Sequence, residues 1–551
     1  MVDMDADESG FQEYTKPSYS ADTLPAEIIC HIASYLVEDA RTRDDQPAPG
    51  RWLPILRVCK RWHDVIMNQT AAWTGVAIGR VEFIGMFLDR SGNQPLTVAG
   101  SLATGDVESD FTKLCMIMAN SWRLQSLRLF EVSSDVWAKF EALVDHASTS
   151  QLEELEVCKH GMERSEALTR FASTKLRRLW LEGFHFDDMQ TLLIPSLTHL
   201  TSLTLVDISW HPTVSEVLGL LRHTTVLESL MLGLDMAWST PTNETVRLEA
   251  LSSLGLCTFY IEEADLLHAL DLPALEYFGL KINPCRDELD ERLNIAQSII
   301  VQMDKRTPMK GSTLYSSGIG SLCCMLTPDA RGTTPDTQLR GVRLLFEDFG
   351  AKEEYEIMHM LRRYVVPKTP AVEHLTVYNG RAKTVDEIMS WGVLLMTMQT
   401  IKSLEIQGRY STCFAFGLCL PGDTRDVWHP LFPDLQEVRL RHLWFRPTPD
   451  VDLEPGRCAF VNRLLKPYQS CENSQRNIRL TIRECVNITE RDIAQIEDTF
   501  TRERVVWDGV GVWRDRGDED DADDHEDEVF MDDEGAGYLA DTEEDDWGTI
   551  V

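Results

Sequence analysis

One spacing constrains this chain above all. Between residues 124 and 280 the pattern LxxLxL returns seven times, as LQSLRL (124–129), LEELEV (152–157), LRRLWL (176–181), LTSLTL (200–205), LESLML (227–232), LSSLGL (251–256) and LEYFGL (275–280). Successive copies begin 28, 24, 24, 27, 24 and 24 residues apart. The last two apolar positions of each copy alternate, so a short strand points both into one core, and the first anchors the turn leading into that strand. Helical stretches such as DVWAKFEALVDHA (135–147) and VSEVLGLLRH (214–223) lie between the strands.

The repeat length and leucine pattern resemble leucine-rich-repeat proteins. That resemblance implies an α/β fold over residues 75–515, a curved solenoid with parallel strands inside and helices outside. Less regular copies continue at LRGVRL (339–344), VEHLTV (372–377), IKSLEI (401–406) and LQEVRL (435–440), with NIRLTI (477–482) and RERVVWDG (502–509) as final strands. GVAIG (75–79) and PLTVAG (95–100) are expected to open the array, and the gap 281–338 is expected to hold a loop and a degenerate repeat. The competing reading is a mixed α/β enzyme. Its strands are usually continuous Val/Ile runs, and its loops carry recognisable chemistry.

Upstream, LPAEIICHIASYL (24–36) sets Leu24, Ile28, Ile32 and Leu36 at i, i+4 spacing, with Ile29 widening the stripe, which predicts an amphipathic helix. Pro25 suits its first turn. A second helical pattern in LPILRVCKRWHDVI (53–66) puts Ile55, Val58, Cys59, Trp62, Val65 and Ile66 on one face. Two short helices cannot bury that much apolar surface alone, so a partner is expected. The strings LPxEI, IxxxL, VCKRW and Ala-Ala-Trp73 resemble the F-box family. The resemblance implies an all-α module at 22–74 that binds a Skp-type adaptor and, through it, a cullin–RING ubiquitin ligase. It assigns Leu24, Pro25, Ile28, Ile32, Leu36, Val58, Cys59 and Trp62 to positions that pack internally or touch the adaptor. Residues 37–52 are longer than the family's link here and predict an exposed loop. RSGNQPL (90–96) is similar to fungal F-box proteins with leucine-rich repeats.

The net charge of −36 is uneven: residues 517–551 hold 17 Asp or Glu and no Lys or Arg, leaving −19 for the other 516 residues. A nucleic-acid binder would show a basic face instead. No run of about 18 apolar residues predicts a membrane span, and the polar, acidic start does not resemble a signal peptide. A soluble protein of the cytoplasm or nucleus is expected. Thirteen cysteines show no CxxC or zinc spacing and read as small buried hydrophobes. Phosphate loops, GxGxxG, GxSxG and HExxH are missing from the sequence. No catalytic residue, cofactor or metal is therefore expected.

Binding residues are easier to place. Flanking the inward leucines, the inner strand face carries Arg128, Glu154, Glu156, Trp180, Met231 and Tyr277, then Arg343, His374, Tyr378, Glu405, Arg439, Arg441, Arg479 and Arg483. Trp180, Tyr277 and Tyr378 are aromatic anchor candidates. Arg343, Arg439 and Arg441 suit an acidic or phosphorylated protein target, because a guanidinium binds carboxylate or phosphate through two parallel hydrogen bonds. Residues 1–21 and 516–551 have too little apolar content to fold and are expected to be disordered, the latter able to screen the late arginines. Together these features predict a non-catalytic substrate receptor of a ubiquitin ligase. The rival is a repeat scaffold that uses its F-box outside ubiquitin transfer.

Overall fold

The computed structural model describes residues 24–42, 52–102, 106–143 and 149–159 and, with interruptions, 168–282, 289–346, 357–407, 419–443 and 478–509. The expected terminal segments 1–21 and 516–551 lie outside the described residues. The chain forms two compact units, Met1–His160 and Gly161–Val551.

The first unit opens with helix α1 (Ala26–Thr42), a 3₁₀ turn at Leu53–Arg57, α2 (Lys60–Met67) and a second 3₁₀ turn at Thr70–Trp73. Strand and helix then alternate as β1 (Gly75–Ala77), α3 (Val81–Arg90), β2 (Leu96–Ser101), α4 (Val107–Met118), β3 (Leu124–Val132), α5 (Ser134–Leu143) and β4 (Glu154–Lys159). The strands pair in parallel in the order β1-β2-β3-β4. Two expectations are corrected here. Helix α1 runs on through Thr42, so the first six residues of the expected loop 37–52 are helical, while 43–51 lie outside the described residues. The second helix is not continuous, because Cys59 is extended at φ −164° and ψ 170° and starts α2 afresh. That break keeps Ile55, Trp62 and Ile66 inside and turns Val58 outward.

Aromatic packing joins these helices to the first strand–helix pair. Trp73 meets Trp52 and Phe87 edge-on, with ring centroids 5.1 and 5.2 Å away, and Arg90 lies 5.1 Å from the Trp73 ring centroid. Trp73 Nε1 donates to the Ile66 carbonyl at 3.1 Å, which satisfies the one polar atom this buried ring carries. Farther on, buried Arg123 caps the end of α3. Its guanidinium donates to the Leu88 carbonyl at 3.0 Å and Ser91 Oγ at 2.8 Å, and it also reaches the Gly92 carbonyl. Carbonyls left unpaired at a helix C-terminus favour a cation in that position.

The second unit contributes β5 (Arg178–Glu182), β6 (Ser202–Ile208), β7 (Ser229–Leu234), β8 (Val246–Arg247), β9 (Ser253–Thr258), β10 (Leu270–Asp271) and β11 (Tyr277–Ile282). After them come β12 (Gly311–Ser316), β13 (Leu322–Thr327), β14 (Gly341–Phe346), β15 (His374–Tyr378), β16 (Ser403–Gln407), β17 (Cys419–Pro421), β18 (Trp428–Pro430), β19 (Glu437–Arg441), β20 (Arg479–Arg483) and β21 (Val505–Trp507). Two minor pairs, β8 with β10 and β17 with β18, stand apart from the main sheet. The main order is β5-β6-β7-β9-β11-β14-β13-β12-β15-β16-β19-β20-β21.

Leucine sets the register. Leu179, Leu203, Leu230 and Leu254 pair in turn with Phe278 and Val342, and Leu181, Leu205, Leu232, Leu256, Leu280 and Leu344 form a second row. The first leucine of each copy is buried at the turn: Leu176, Leu200, Leu227, Leu251 and Leu275. Carbonyls of Thr201, Glu228, Ser252, Glu373 and Lys402 each accept two amides from the next copy, so the turns themselves repeat. Between β6 and β7 the expected helix forms at Val214–Leu221, closed by a reciprocal Thr213–Glu216 capping box.

Two residues past the last strand leucine or isoleucine of a copy, the backbone turns left-handed. This happens at Glu131 in the first unit and at Gly183, Asp207, His442 and Glu484 in the second. The next residue in each case (Val132, Phe184, Ile208, Leu443 or Cys485) is buried. The extra residue bulges the strand and returns an apolar side chain to the core, which fits the register shifts seen after Leu129 and Val206.

The segment 281–338 departs from expectation. It holds a helix, Leu289–Arg306, and then β12 and β13, which pair antiparallel; β13 pairs antiparallel with β14 as well. A three-stranded meander thus sits between β11 and β15, with its chain order reversed across the sheet. It replaces the expected loop and degenerate repeat.

Candidate partner-docking surfaces

Helix α1 carries two apolar stripes about 100° apart. Its inward stripe is Ile29, Ala33 and Val37, all buried. The other is the stripe read from the sequence, and the module covers it only in part: Ile28 remains 46% exposed, while Leu24, Ile32 and Leu36 are half-buried. Tyr35, seven residues after Ile28 on the same side, is 72% exposed and widens the stripe beside Leu36. Pro25 is exposed just before α1, and its carbonyl accepts the amides of Ile28 and Ile29. At the break before α2, Val58 is 49% exposed and Cys59 half-exposed. Trp62 differs from its expected companions, since it is buried and supports the module from within.

Three features fix this arrangement. Gln69 Nε2 donates to Ser34 Oγ at 3.1 Å, tying the second 3₁₀ turn to α1. Asn68 Nδ2 closes α2 on the Asp64 carbonyl at 2.8 Å. The tryptophan pair lies beneath. The result is a preorganised surface of aliphatic side chains with Tyr35 at its rim, which suits another polypeptide better than a small molecule.

The inner face of the main sheet behaves differently along its length. In the middle strands it is closed. Met231, Cys257, Cys323, Met325 and Leu345 form a buried cluster with Val206 against it. Tyr277 is buried too, and burial pushes its hydroxyl up to about 12 against the opposing pull of the Arg343 guanidinium. Arg343 lies diagonally across the strand pair from Tyr277, because Gly279 is its direct partner. Tyr277 and Met231 are therefore corrected from open face to interior, and Arg343 is half-buried beside them. Apolar residues on both faces of these strands account for the change: a strand reading Ser-Leu-Met-Leu or Leu-Cys-Cys-Met-Leu has two sides to hide. Burial also raises the Cys324 thiol to about 12 and the Cys485 thiol to about 11. Such thiols stay protonated and unreactive.

Toward either end the face is polar. Trp180 is half-buried, and its Nε1 has no hydrogen-bond partner among the described residues. Within the first unit, taken by itself, Arg128 is matched by Glu154 at 2.9 Å and Glu156 at 3.4 Å. In the late strands Arg439 pairs with Glu437 at 2.8 Å and lies 3.7 Å from Glu405, while Arg441 shares Glu405 at 3.5 Å. Those carboxylates raise the Arg439 guanidinium above its ordinary value. His374 is lowered, chiefly by desolvation. The side chain of Tyr378, at the end of β15, lies outside the described residues. Among the described residues there is no cluster of metal-ligating side chains, and no helix is long and apolar enough to cross a membrane.

Residues 21–78 match a family model described as F-box-like. The match spans α1, α2 and both 3₁₀ turns, the segment that carries the partly covered stripe, and it supports an F-box protein. A search of curated proteins finds no match to the chain.

Proposed function

We propose that this chain is the substrate-recognition subunit of a Skp–cullin–F-box ubiquitin ligase. Residues 22–74 dock on the Skp-type adaptor, and residues 75–515 form a leucine-rich-repeat solenoid of the fungal F-box type that holds a target protein. The observation that carries this reading is the second apolar stripe of α1, which the chain leaves partly open at Ile28 and its neighbours although Ile29, Ala33 and Val37 beneath it are buried. Leu24, Pro25, Ile28, Ile32, Leu36, Val58 and Cys59 are the proposed contacts, with Tyr35 added from its exposure. The chain performs no bond chemistry. Its contribution is proximity, since a rigid array holds the target at a fixed distance from the ubiquitin-transferring subunits. Such a protein works in the cytoplasm or nucleus, where that ligase resides.

Target contacts are assigned to the polar ends of the sheet, Trp180 early and Arg439 with Arg441 late, because the middle of the face is closed. Co-purification with a Skp-type adaptor tests the proposal. The parent chain is expected to bring down adaptor and cullin together, and Leu24→Ala combined with Pro25→Ala to lose both. Adaptor without cullin would favour a scaffold outside ubiquitin transfer, and no adaptor would reject both readings.

A further inference from the structure

On the inner face of the late strands, positive charge exceeds negative. On the inner face of β16, β19 and β20, four arginines (Arg439, Arg441, Arg479 and Arg483) stand against two carboxylates, Glu405 and Glu437. Register sets Glu437 beside Arg479 and Arg441 directly beside Arg483. Strands in a sheet lie about 4.8 Å apart, and like charges facing each other at that spacing destabilise the pair. Glu405 is spent on Arg439 and Arg441. Arg479 and Arg483 are exposed and form no ion pair among the described residues. In the first unit, by contrast, Arg128 is matched by Glu154 and Glu156. A cationic surface left open on a chain of net charge −36 calls for an anionic occupant.

We infer that this surface binds the chain's own acidic segment, residues 517–551, which thereby covers the late arginines until a target displaces it. The topology favours this occupant. β21 pairs with β20 through Ile482 and Trp507, next to Arg483, and its chain leads on through Gly509. Residue 517 follows eight residues later, a reach of up to about 28 Å, and the segment brings 17 carboxylates with no Lys or Arg. A tethered ligand of this kind acts at an effective concentration near the millimolar range, which a free acidic peptide does not match. If the late arginines hold the target as proposed above, the tail is a competitor, so only strongly acidic or phosphorylated segments gain the site. Tail docking itself does not require the adaptor.

The test uses a fluorescent peptide of residues 517–551 and two forms of the full-length chain. One is the parent; the other has every Asp and Glu of 517–551 changed to Asn or Gln. The peptide should bind the neutral-tailed chain, weaken as salt rises and bind the parent about tenfold more weakly or worse. Arg479→Glu with Arg483→Glu in the neutral-tailed chain should abolish binding, and Arg479→Gln with Arg483→Gln should weaken it less. Unchanged thermal melting of these exposed-site variants guards against misfolding. Equal binding to parent and neutral-tailed chains, binding that ignores the arginine changes, or no binding would each overturn the inference. Adaptor co-purification from the same preparations keeps this outcome separate from the ligase proposal, because a chain that retains adaptor but ignores the peptide sinks only the tail contact.

Discussion

Ile28 and Ile29 are neighbours in the sequence with opposite fates, and the pair tests the docking account without any change of chemistry. Ile29 is 0% exposed, whereas Ile28 is 46% exposed. Truncating a fully buried isoleucine to alanine costs about 2–5 kcal/mol, since a cavity is left behind. Ile29→Ala should therefore lower the unfolding free energy by that amount, and Ile28→Ala by less, about 0.8–1.6 kcal/mol for the part of the side chain already covered. On the adaptor side the order reverses. Complete burial of such a side chain contributes about 1.5–3 kcal/mol. With 46% of Ile28 and 49% of Val58 still open, each offers a partner roughly 0.7–1.5 kcal/mol. Ile28→Ala with Val58→Ala is then expected to weaken adaptor binding roughly tenfold to hundredfold. Urea denaturation and adaptor titration of the same preparations provide both readouts. The reasoning fails if Ile28→Ala destabilises the fold as much as Ile29→Ala, or if the double variant binds adaptor within about twofold of the parent.

Three further outcomes follow from the interior. Met231→Ala should cost about 2–5 kcal/mol in urea denaturation, because the middle of the inner face is closed; a cost below about 0.5 kcal/mol would mean that face is open. Tyr277 titrates near 12 when folded and near 10 when unfolded, so above pH 10 the unfolded chain releases its proton first. Stability should accordingly fall as pH rises from about 10 to 12, and Tyr277→Phe should flatten that slope in alkaline denaturation. Arg123→Met strands the Leu88 carbonyl and Ser91 hydroxyl without their cation, and should cost about 2–4 kcal/mol by thermal unfolding.

Much of the sheet was legible in the chain because its leucines do one job each. Wherever LxxLxL keeps its spacing, from LRRLWL to LEYFGL, strand position and register follow the pattern; β1 and β21 fall within the expected segments, and β2 and β20 overrun theirs by one residue. The left-handed turn two residues later escaped notice, since the residues there (Glu131, Asp207, His442, Glu484) share little but polarity. The meander escaped for a different reason. Gly-Ser-Thr-Leu-Tyr-Ser, β12, looks like a polar loop, and only its pairing with β13 and β15 makes it a strand.

The site was half legible. Period alone found the stripe Leu24, Ile28, Ile32 and Leu36, yet it could not say which of two apolar stripes on α1 faces inward. Four-residue steps miss Tyr35, although seven residues also return a helix to the same side. The pattern sets Val58 and Trp62 on one face, and the extended Cys59 separates them, leaving Trp62 inside and Val58 outside. Strict alternation places Tyr277 and Met231 on an open face, a rule that fails where both faces of a strand are covered.

The most direct measurement is calorimetric titration of the full-length chain with a purified Skp-type adaptor at several temperatures. The account predicts a single complex whose binding enthalpy becomes more negative on warming, the heat-capacity mark of apolar surface leaving water. Absence of a complex, or a complex that forms with no heat-capacity change and survives Ile28→Asp, would contradict it.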